Sequence, residues 1–109
     1  MTKATFDYQN PESIRFEILG HAHFARAGQD IVCSAISTAV FTTLNLLDSI
    51  LEKDQYLLNS NEQKGIIQYA IKEPHEIVIK IVDNLYRILA MIAEDYPNNL
   101  KLTKKIAQN

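Results

Sequence analysis

The apolar stretch from Ile31 to Leu51 is the feature that most constrains the fold of this chain. Polar residues interrupt it repeatedly, which suits a helix buried in a protein better than a helix in a bilayer, so no membrane span is expected. The stretch predicts a helix from about Asp30 to Leu51, with further apolar residues around its main stripe, so we expect cover on more than one side. The polar interruptions are Ser34, Ser37, Thr38, Thr42, Thr43, Asn45 and Asp48, and the stripe is Val32, Ile36, Ala39, Thr43, Leu47 and Ile50.

Alternating apolar and polar residues predict two β-hairpins, one before and one after this helix in the sequence. In the first, the turn is Asn10-Pro11, and in the second it is the polar segment Ser60-Asn61-Glu62. The apolar positions of the first hairpin are Ala4, Phe6, Tyr8, Ile14, Phe16 and Ile18, and the strands of the second are Tyr56 to Leu58 and Gly65 to Ile71.

A second amphipathic helix is predicted between Pro74, which opens it, and Pro97, before which it stops. Leu100 and Leu102 are expected to add a last strand. The element order ββαββα, with this possible terminal strand, predicts an α+β fold in which two main helices pack against a mostly antiparallel sheet. Residues 1–109 are expected to form a single domain. The second helix carries Val78, Ile81, Val82, Leu85, Ile88, Leu89 and Ile92 at helical spacing.

Composition and charge exclude several classes of function. The net charge of −2 and the pI near 5.9 argue against direct, nonspecific binding to nucleic acid, which needs a concentrated basic surface. The only basic cluster, Lys101, Lys104 and Lys105, is interpreted as a solvated edge. One cysteine cannot form an intramolecular disulfide, and no basic-plus-apolar signal segment is seen, so a cytoplasmic location is expected.

That single cysteine, Cys33, falls at the start of the first predicted helix. If Asp30 is the N-cap residue, the unpaired backbone N–H groups and the positive end of the helix dipole favour the Cys33 thiolate. His21 ends a strand-like run, on a loop that returns to this helix start. The pair has the nucleophile-and-base arrangement of cysteine acyl-transfer enzymes. On position alone, however, a lone cysteine in an apolar helix is more often a small buried hydrophobe.

Supporting residues flank this pair. Gly20 and Gly28 bracket the loop and would let it move over the site as a lid. Ser37 lies one helical turn beyond Cys33 on the same side, either as a small packing residue or as a hydrogen-bonding group of the site. Asp30 is interpreted mainly as the helix cap, and orientation of the His21 imidazole is a second, compatible role.

The segment GHAHFARAGQDIVCSAIS, residues 20–37, resembles the signature of the ribosomal-processing cysteine protease family, Prp. Only Ser34 departs from the pattern, where family members usually have Ala. The resemblance implies a cysteine endopeptidase with Cys33 and His21 as catalytic residues and no cofactor. Its implied substrate is the N-terminal extension of large-subunit ribosomal protein twenty-seven, cut near an aromatic pair during ribosome assembly, and a homodimer is implied. The matching residues are Gly20, His21, Ala22, Ala25, Gly28, Asp30, Ile31, Val32, Cys33, Ala35 and Ser37.

The residues leave some alternatives open. His23 lies on the same loop as His21, and only the motif separates them, which makes His23 a solvent-facing loop residue. His75 is interpreted as structural. A metal-binding module could use His21, His23 and Cys33, but no fourth ligand stands at a fixed spacing, so no metal is expected. The alternative function is a non-catalytic, dimeric, ribosome-associated interaction protein.

Overall fold

In the computed structural model, which describes residues 1–20, 31–61 and 63–107, the strands form one mixed sheet. Its order is β3-β4-β2-β1-β5, and every neighbouring pair is antiparallel except β1 and β5, which are parallel. The predicted α+β fold with a mostly antiparallel sheet and a terminal strand is therefore confirmed. The strands are β1 (Thr2–Tyr8), β2 (Ser13–Leu19), β3 (Tyr56–Asn61), β4 (Ile66–Lys72) and β5 (Leu100–Ile106).

The two helices, α1 (Ile31–Ile50) and α2 (Glu76–Asp95), cover one face of this sheet. Alternate strand residues point into the layer between sheet and helices, as the period of two requires. Leu47 of α1 and Leu85 and Leu89 of α2 are fully buried there. The opposite face of the central strands carries residues such as Lys3, Arg15, Glu17 and Gln68. The buried strand residues are Ala4, Phe6, Ile14, Phe16, Ile18, Tyr69, Ile71 and Leu100.

A row of stacked aromatic rings fixes the register of four strands and leads to α1. Phe6 stacks on Phe16 with ring centroids 5.4 Å apart, and Phe16 stacks on Tyr69 at 5.3 Å. Tyr69 stacks in turn on Tyr56 at 5.3 Å, and the Tyr56 hydroxyl donates to Asp48 Oδ1 of α1 at 3.0 Å. A slip of one residue would break the row and turn each side chain to the other face. The row therefore holds the C-terminal half of α1 at the β3 side of the sheet.

The buried stripe of α1 differs from the predicted one. Val40 is buried, whereas Ala39 is only half-buried and Ile50 is 39% exposed. Among the described residues α1 packs both on the sheet and against α2, so the expected cover on more than one side is confirmed. A further side is open, because Phe41 and Leu46 are 56% and 46% exposed. The buried residues, spaced by three and four, are Val32, Ile36, Val40, Thr43 and Leu47.

By length and composition α1 is apolar enough to cross a membrane, with a mean hydropathy of 1.5 over its 20 residues. In this fold it is instead a layer of the core, because Val40 is 1% exposed and Leu47 is fully buried against the sheet. Burial against the sheet thus accounts for the apolar composition of α1.

Three predicted boundaries need correction. β3 extends through Ser60 to Asn61, so these two residues belong to a strand and not to the turn, because Asn61 pairs with Ile66 of β4. β4 begins at Ile66 and not at Gly65, whose φ of +65° is a turn conformation. α2 begins at Glu76, with His75 as its N-cap residue in extended backbone, so Pro74 precedes the helix and does not open it.

Candidate active site

Cys33 is the third residue of α1, as the sequence predicts, and its side chain is half-buried. In the first turn of a helix the backbone N–H groups have no partner within the helix, and the helix dipole has its positive end there. Both effects favour a negative charge at this end of α1, such as that of an oxyanion bound beside Cys33. The local structure therefore places the thiol where a nucleophile or a bound oxyanion would be favoured.

A cavity of about 290 Å³ opens beside Cys33, between the N-terminal half of α1 and one end of the sheet. Most of its lining is aliphatic, which suits an apolar side chain of a bound molecule. Cys33 and Ser37 are its sulfur- and hydroxyl-bearing residues on α1. The lining consists of Thr2, Ile18, Gly20, Cys33, Ile36, Ser37, Val40, Phe41, Asn61, Gly65, Ile66 and Ile67.

Gly20 forms one wall of this cavity, and any other residue there would be strained. Its φ is +84°, and a Cβ atom added to it would lie 2.8 Å from the carbonyl oxygen of Met1. Its N–H donates to the carbonyl oxygen of Gly65 at 2.8 Å, which ties the end of β2 to the β3–β4 turn. Residue 20 therefore lies at the wall of the same cavity that Cys33 lines. His21 is the next residue in the sequence.

The structure brings together three of the six predicted site residues, Cys33, Ser37 and Gly20. Ser37 lies one turn after Cys33 and lines the same cavity, so the predicted placement on one side of α1 is confirmed. His21, Gly28 and Asp30 lie outside the described residues, as does His23. Their predicted roles as base, hinge, cap and loop residue stay predictions.

The far wall of the cavity was not predicted from the sequence. Thr2 at the start of β1, and Asn61 and Gly65 around the β3–β4 turn, reach the site from distant parts of the chain. Gly65 carried a signal that the strand prediction did not use, because a glycine beside a hairpin turn is typical of a backbone with positive φ. Nothing in the sequence marked Thr2 as a residue of the site. In the structure it is a polar residue that is only 3% exposed.

A larger hollow lies elsewhere, between the outer faces of α1 and α2. Its volume is about 870 Å³, and Cys33 is not among its lining residues. Ala35, Leu46, Ile77 and Ile88 make it strongly apolar. It offers contact area and carries no group of the predicted chemistry, so the smaller cavity is the candidate active site.

Metal ligation finds no support in the part of the chain that the structure describes. No three His, Cys, Asp or Glu side chains come together there as a metal site would need. Two of the three ligands that the sequence could offer, His21 and His23, lie outside that part.

A cysteine in the first turn of a helix, at the side of an apolar cavity, stands where the nucleophile of a cysteine hydrolase can act. The comparison with known families agrees, because the model of the family described as cysteine protease Prp matches residues 1–101. The chain belongs to this family and is a cysteine protease.

Individual relatives cover almost the full chain. The ribosomal processing cysteine protease Prp of Bacillus subtilis is 30% identical over 112 residues, which span 97% of this chain and 99% of that protein. Two structures of the essential ribosomal processing protease Prp of S. aureus match the fold. One, with a covalently linked product peptide, has a TM-score of 0.84 at 20% identity and covers 96% of this chain and all of that one. The other, with a substrate peptide, has a TM-score of 0.77 at 21% identity, with the same coverage.

Proposed function

We propose that this protein is an endopeptidase that removes the N-terminal extension of large-subunit ribosomal protein twenty-seven during ribosome assembly. The observation that carries the proposal is the position of Cys33, in the first turn of α1 and on the wall of an apolar cavity. The full-length similarity to a ribosomal processing protease supports the substrate class. The extension of protein twenty-seven is the finer choice, and it comes from the resemblance of residues 20–37 to the family signature.

In the proposed reaction Cys33 is the nucleophile and His21 the acid and base. The thiolate attacks the carbonyl carbon of the scissile peptide bond, which forms a C–S bond and a tetrahedral oxyanion. As the C–N bond breaks, the His21 imidazolium protonates the leaving amine, and an acyl thioester remains. Water, losing a proton to His21, then attacks the thioester, and the C–S bond breaks to release the acid and the thiolate. No cofactor takes part.

The oxyanion is held by backbone N–H groups at the start of α1, including that of Cys33. The positive end of the helix dipole lies at this turn and favours the developing negative charge. Asp30 caps the helix and so keeps this turn in place, and Ser37 supplies a hydroxyl from the next turn. Gly20 supports His21 as the base, because it lines the Cys33 cavity and directly precedes His21 in the sequence.

The aliphatic cavity beside Cys33 receives an aromatic side chain of the substrate. Ile18, Ile36 and Ile67 provide apolar contact area, and Phe41 at 56% exposure stands at the rim. An aromatic ring gains free energy when it leaves water for such a lining. This matches a cut next to a pair of aromatic residues in the extension.

We also propose that the protein acts as a homodimer in the cytoplasm, without direct contact to nucleic acid. The outer faces of α1 and α2 expose Ile31 at 67%, Ile77 at 59% and Leu46 at 46% around the larger apolar hollow, and a second copy would cover them. Ile77→Lys should then shift the protein to monomer in analytical ultracentrifugation. A wild-type protein that already sediments as a monomer would contradict the dimer. A net charge of −2 supports the absence of nucleic-acid binding.

The test is to mix the purified protein with the extended ribosomal protein twenty-seven of the same organism and to sequence the new N-terminus. We expect one cut, next to the paired aromatic residues, and none with Cys33→Ala or after these aromatics are replaced by Ala. If the extension stays intact while the Cys33 thiol is reduced and reactive, the processing role is wrong. If the thiol also reacts no faster than that of an unstructured peptide, the non-catalytic interaction protein becomes the better description.

A further inference from the structure

The two edges of the sheet are built differently. Edge strands present unpaired N–H and C=O groups, and proteins usually protect them with charged residues, proline or bulges. β5 follows this rule, with Lys101, Lys104 and Lys105 among its seven residues. β3 has the sequence YLLNSN, without a charge or a proline, and pairs only with β4 among the described residues.

The hydrogen-bond register shows which backbone groups of β3 point outward. The Gly20 N–H donates to the Gly65 carbonyl, which continues the β2–β4 register one step beyond Leu19 and Ile66. Hydrogen-bonded pairs alternate along antiparallel strands. The odd-numbered residues of β4 therefore bond to β2, and its even-numbered residues bond to β3.

The β3 partners of these even-numbered residues are Leu57, Asn59 and Asn61. It follows that the N–H and C=O groups of Leu58 and Ser60 are directed away from the sheet. Leu57 and Leu58 are 67% and 48% exposed, so apolar side chains accompany the open backbone edge on both faces.

This edge leads to the candidate active site. β3 runs from Tyr56, whose hydroxyl bonds Asp48 near the end of α1, to Asn61, which lines the Cys33 cavity. Its six residues span roughly 20 Å. An extended peptide laid along β3 would therefore have one end at Cys33.

We propose that the edge of β3 binds the substrate peptide as an added sixth strand, so that main-chain hydrogen bonds to Leu58 and Ser60 hold it in register with Cys33. This mode of peptide recognition takes affinity from the backbone and specificity from side-chain pockets, here the cavity beside Cys33. The inference rests on the proposed peptidase function and adds to it a substrate class. The substrate is an extended, unstructured segment. On one side of the cut it continues for several residues beyond the part that occupies the cavity, so that it can lie along β3.

The test uses a synthetic peptide that spans the cleavage junction of the same organism's extended ribosomal protein twenty-seven. A series of peptides carries one N-methyl group each, at successive backbone nitrogens on both flanks of the cut. Affinity is measured with Cys33→Ala, and KM with the wild type. A paired strand donates at every second residue, so methylation should weaken binding at alternate positions on one flank. The loss per hydrogen bond is about 2- to 12-fold, and methylation between those positions should change binding by less than about 2-fold.

A pair of protein variants gives the matched control. Ser60→Pro removes an outward N–H and should raise KM by a similar factor relative to Ser60→Ala, which keeps the N–H and serves as the reference. Equal KM values for these two variants, or no alternation on either flank, would overturn the proposal. So would a change in oligomeric state by Ser60→Pro at unchanged KM, because the edge would then pair with a second copy.

Failure of the proposed function looks different. The wild type would leave the unmethylated peptide uncut, while alternating affinities for Cys33→Ala would still establish the added strand. A peptide that is neither cut nor bound would overturn both proposals.

Discussion

Replacing Gly20 by Ala tests how the wall of the cavity is built. A non-glycine residue at positive φ costs about 1–2 kcal/mol, and the φ of Gly20 is +84°. The new Cβ would also lie 2.8 Å from the Met1 carbonyl oxygen, so backbone must shift, at about 1–3 kcal/mol as for other overpacked sites. The sum is about 2–5 kcal/mol, a large part of the free energy of unfolding of a small domain.

Thermal unfolding followed by circular dichroism measures this cost. At about 4 °C per kcal/mol for a domain near 100 residues, the Tm should fall by roughly 8–20 °C. Gly65→Ala is the control for the cost of a positive φ, because Gly65 has a similar φ of +65°. We expect peptide cleavage by Gly20→Ala to fall as well, below the unfolding temperature, since small displacements of reacting groups are costly. A Tm drop below about 3 °C would refute the reasoning.

Other predictions concern the chemistry and the pH response. Cys33→Ser and Cys33→Ala should both be inactive with wild-type Tm, because a serine hydroxyl ionises far less than a thiol, and cleavage by Cys33→Ser at the wild-type rate would exclude Cys33 as nucleophile. His21→Ala should be inactive and His23→Ala active in the same peptide assay, and the opposite result would make His23 the base. Burial and a hydrogen bond to a carboxylate raise the pKa of Tyr8 above its ordinary value of 10.0, so the stability linked to it is full below pH 10.0 and is lost above it. Tm measured from about pH 9 to about pH 11 should fall less steeply for Tyr8→Phe, and identical slopes would contradict this linkage.

Local periodicity was sufficient to predict both helices and the first hairpin, because each is encoded by residues close in sequence. The extension of β3 was missed since Ser60 and Asn61 are typical turn residues, and pairing with β4 overrides that preference. The parallel pairing of β5 with β1 joins Leu100 to Thr2 across the whole chain. No local pattern can report such a contact.

The residues of the candidate site also fall into two groups, those close together in the sequence and those brought together by strand pairing. Cys33 and Ser37 follow from helical spacing, and Gly20 from the signature, since all lie within residues 20–37. The opposite wall requires the sheet order, because Thr2 and Asn61 approach Cys33 only after β1, β2, β4 and β3 have paired. A sequence motif can thus indicate candidate reactive groups, while the shape of the cavity beside them depends on long-range pairing.

The two ends of α1 have different roles. Its C-terminal end is anchored in the protein, and its N-terminal end carries Cys33. Its last turns are held by the fully buried Leu47 and by the 3.0 Å hydrogen bond from Tyr56 to Asp48. Its first turn leaves Cys33 only half-buried, at the side of the cavity. A group placed on a helix is held more precisely than a group on a loop, and the buried Val32 and Ile36 pack this end of α1 against the core. Substitutions at Leu47 should therefore act mainly on the free energy of unfolding, and substitutions at Ser37 mainly on catalysis.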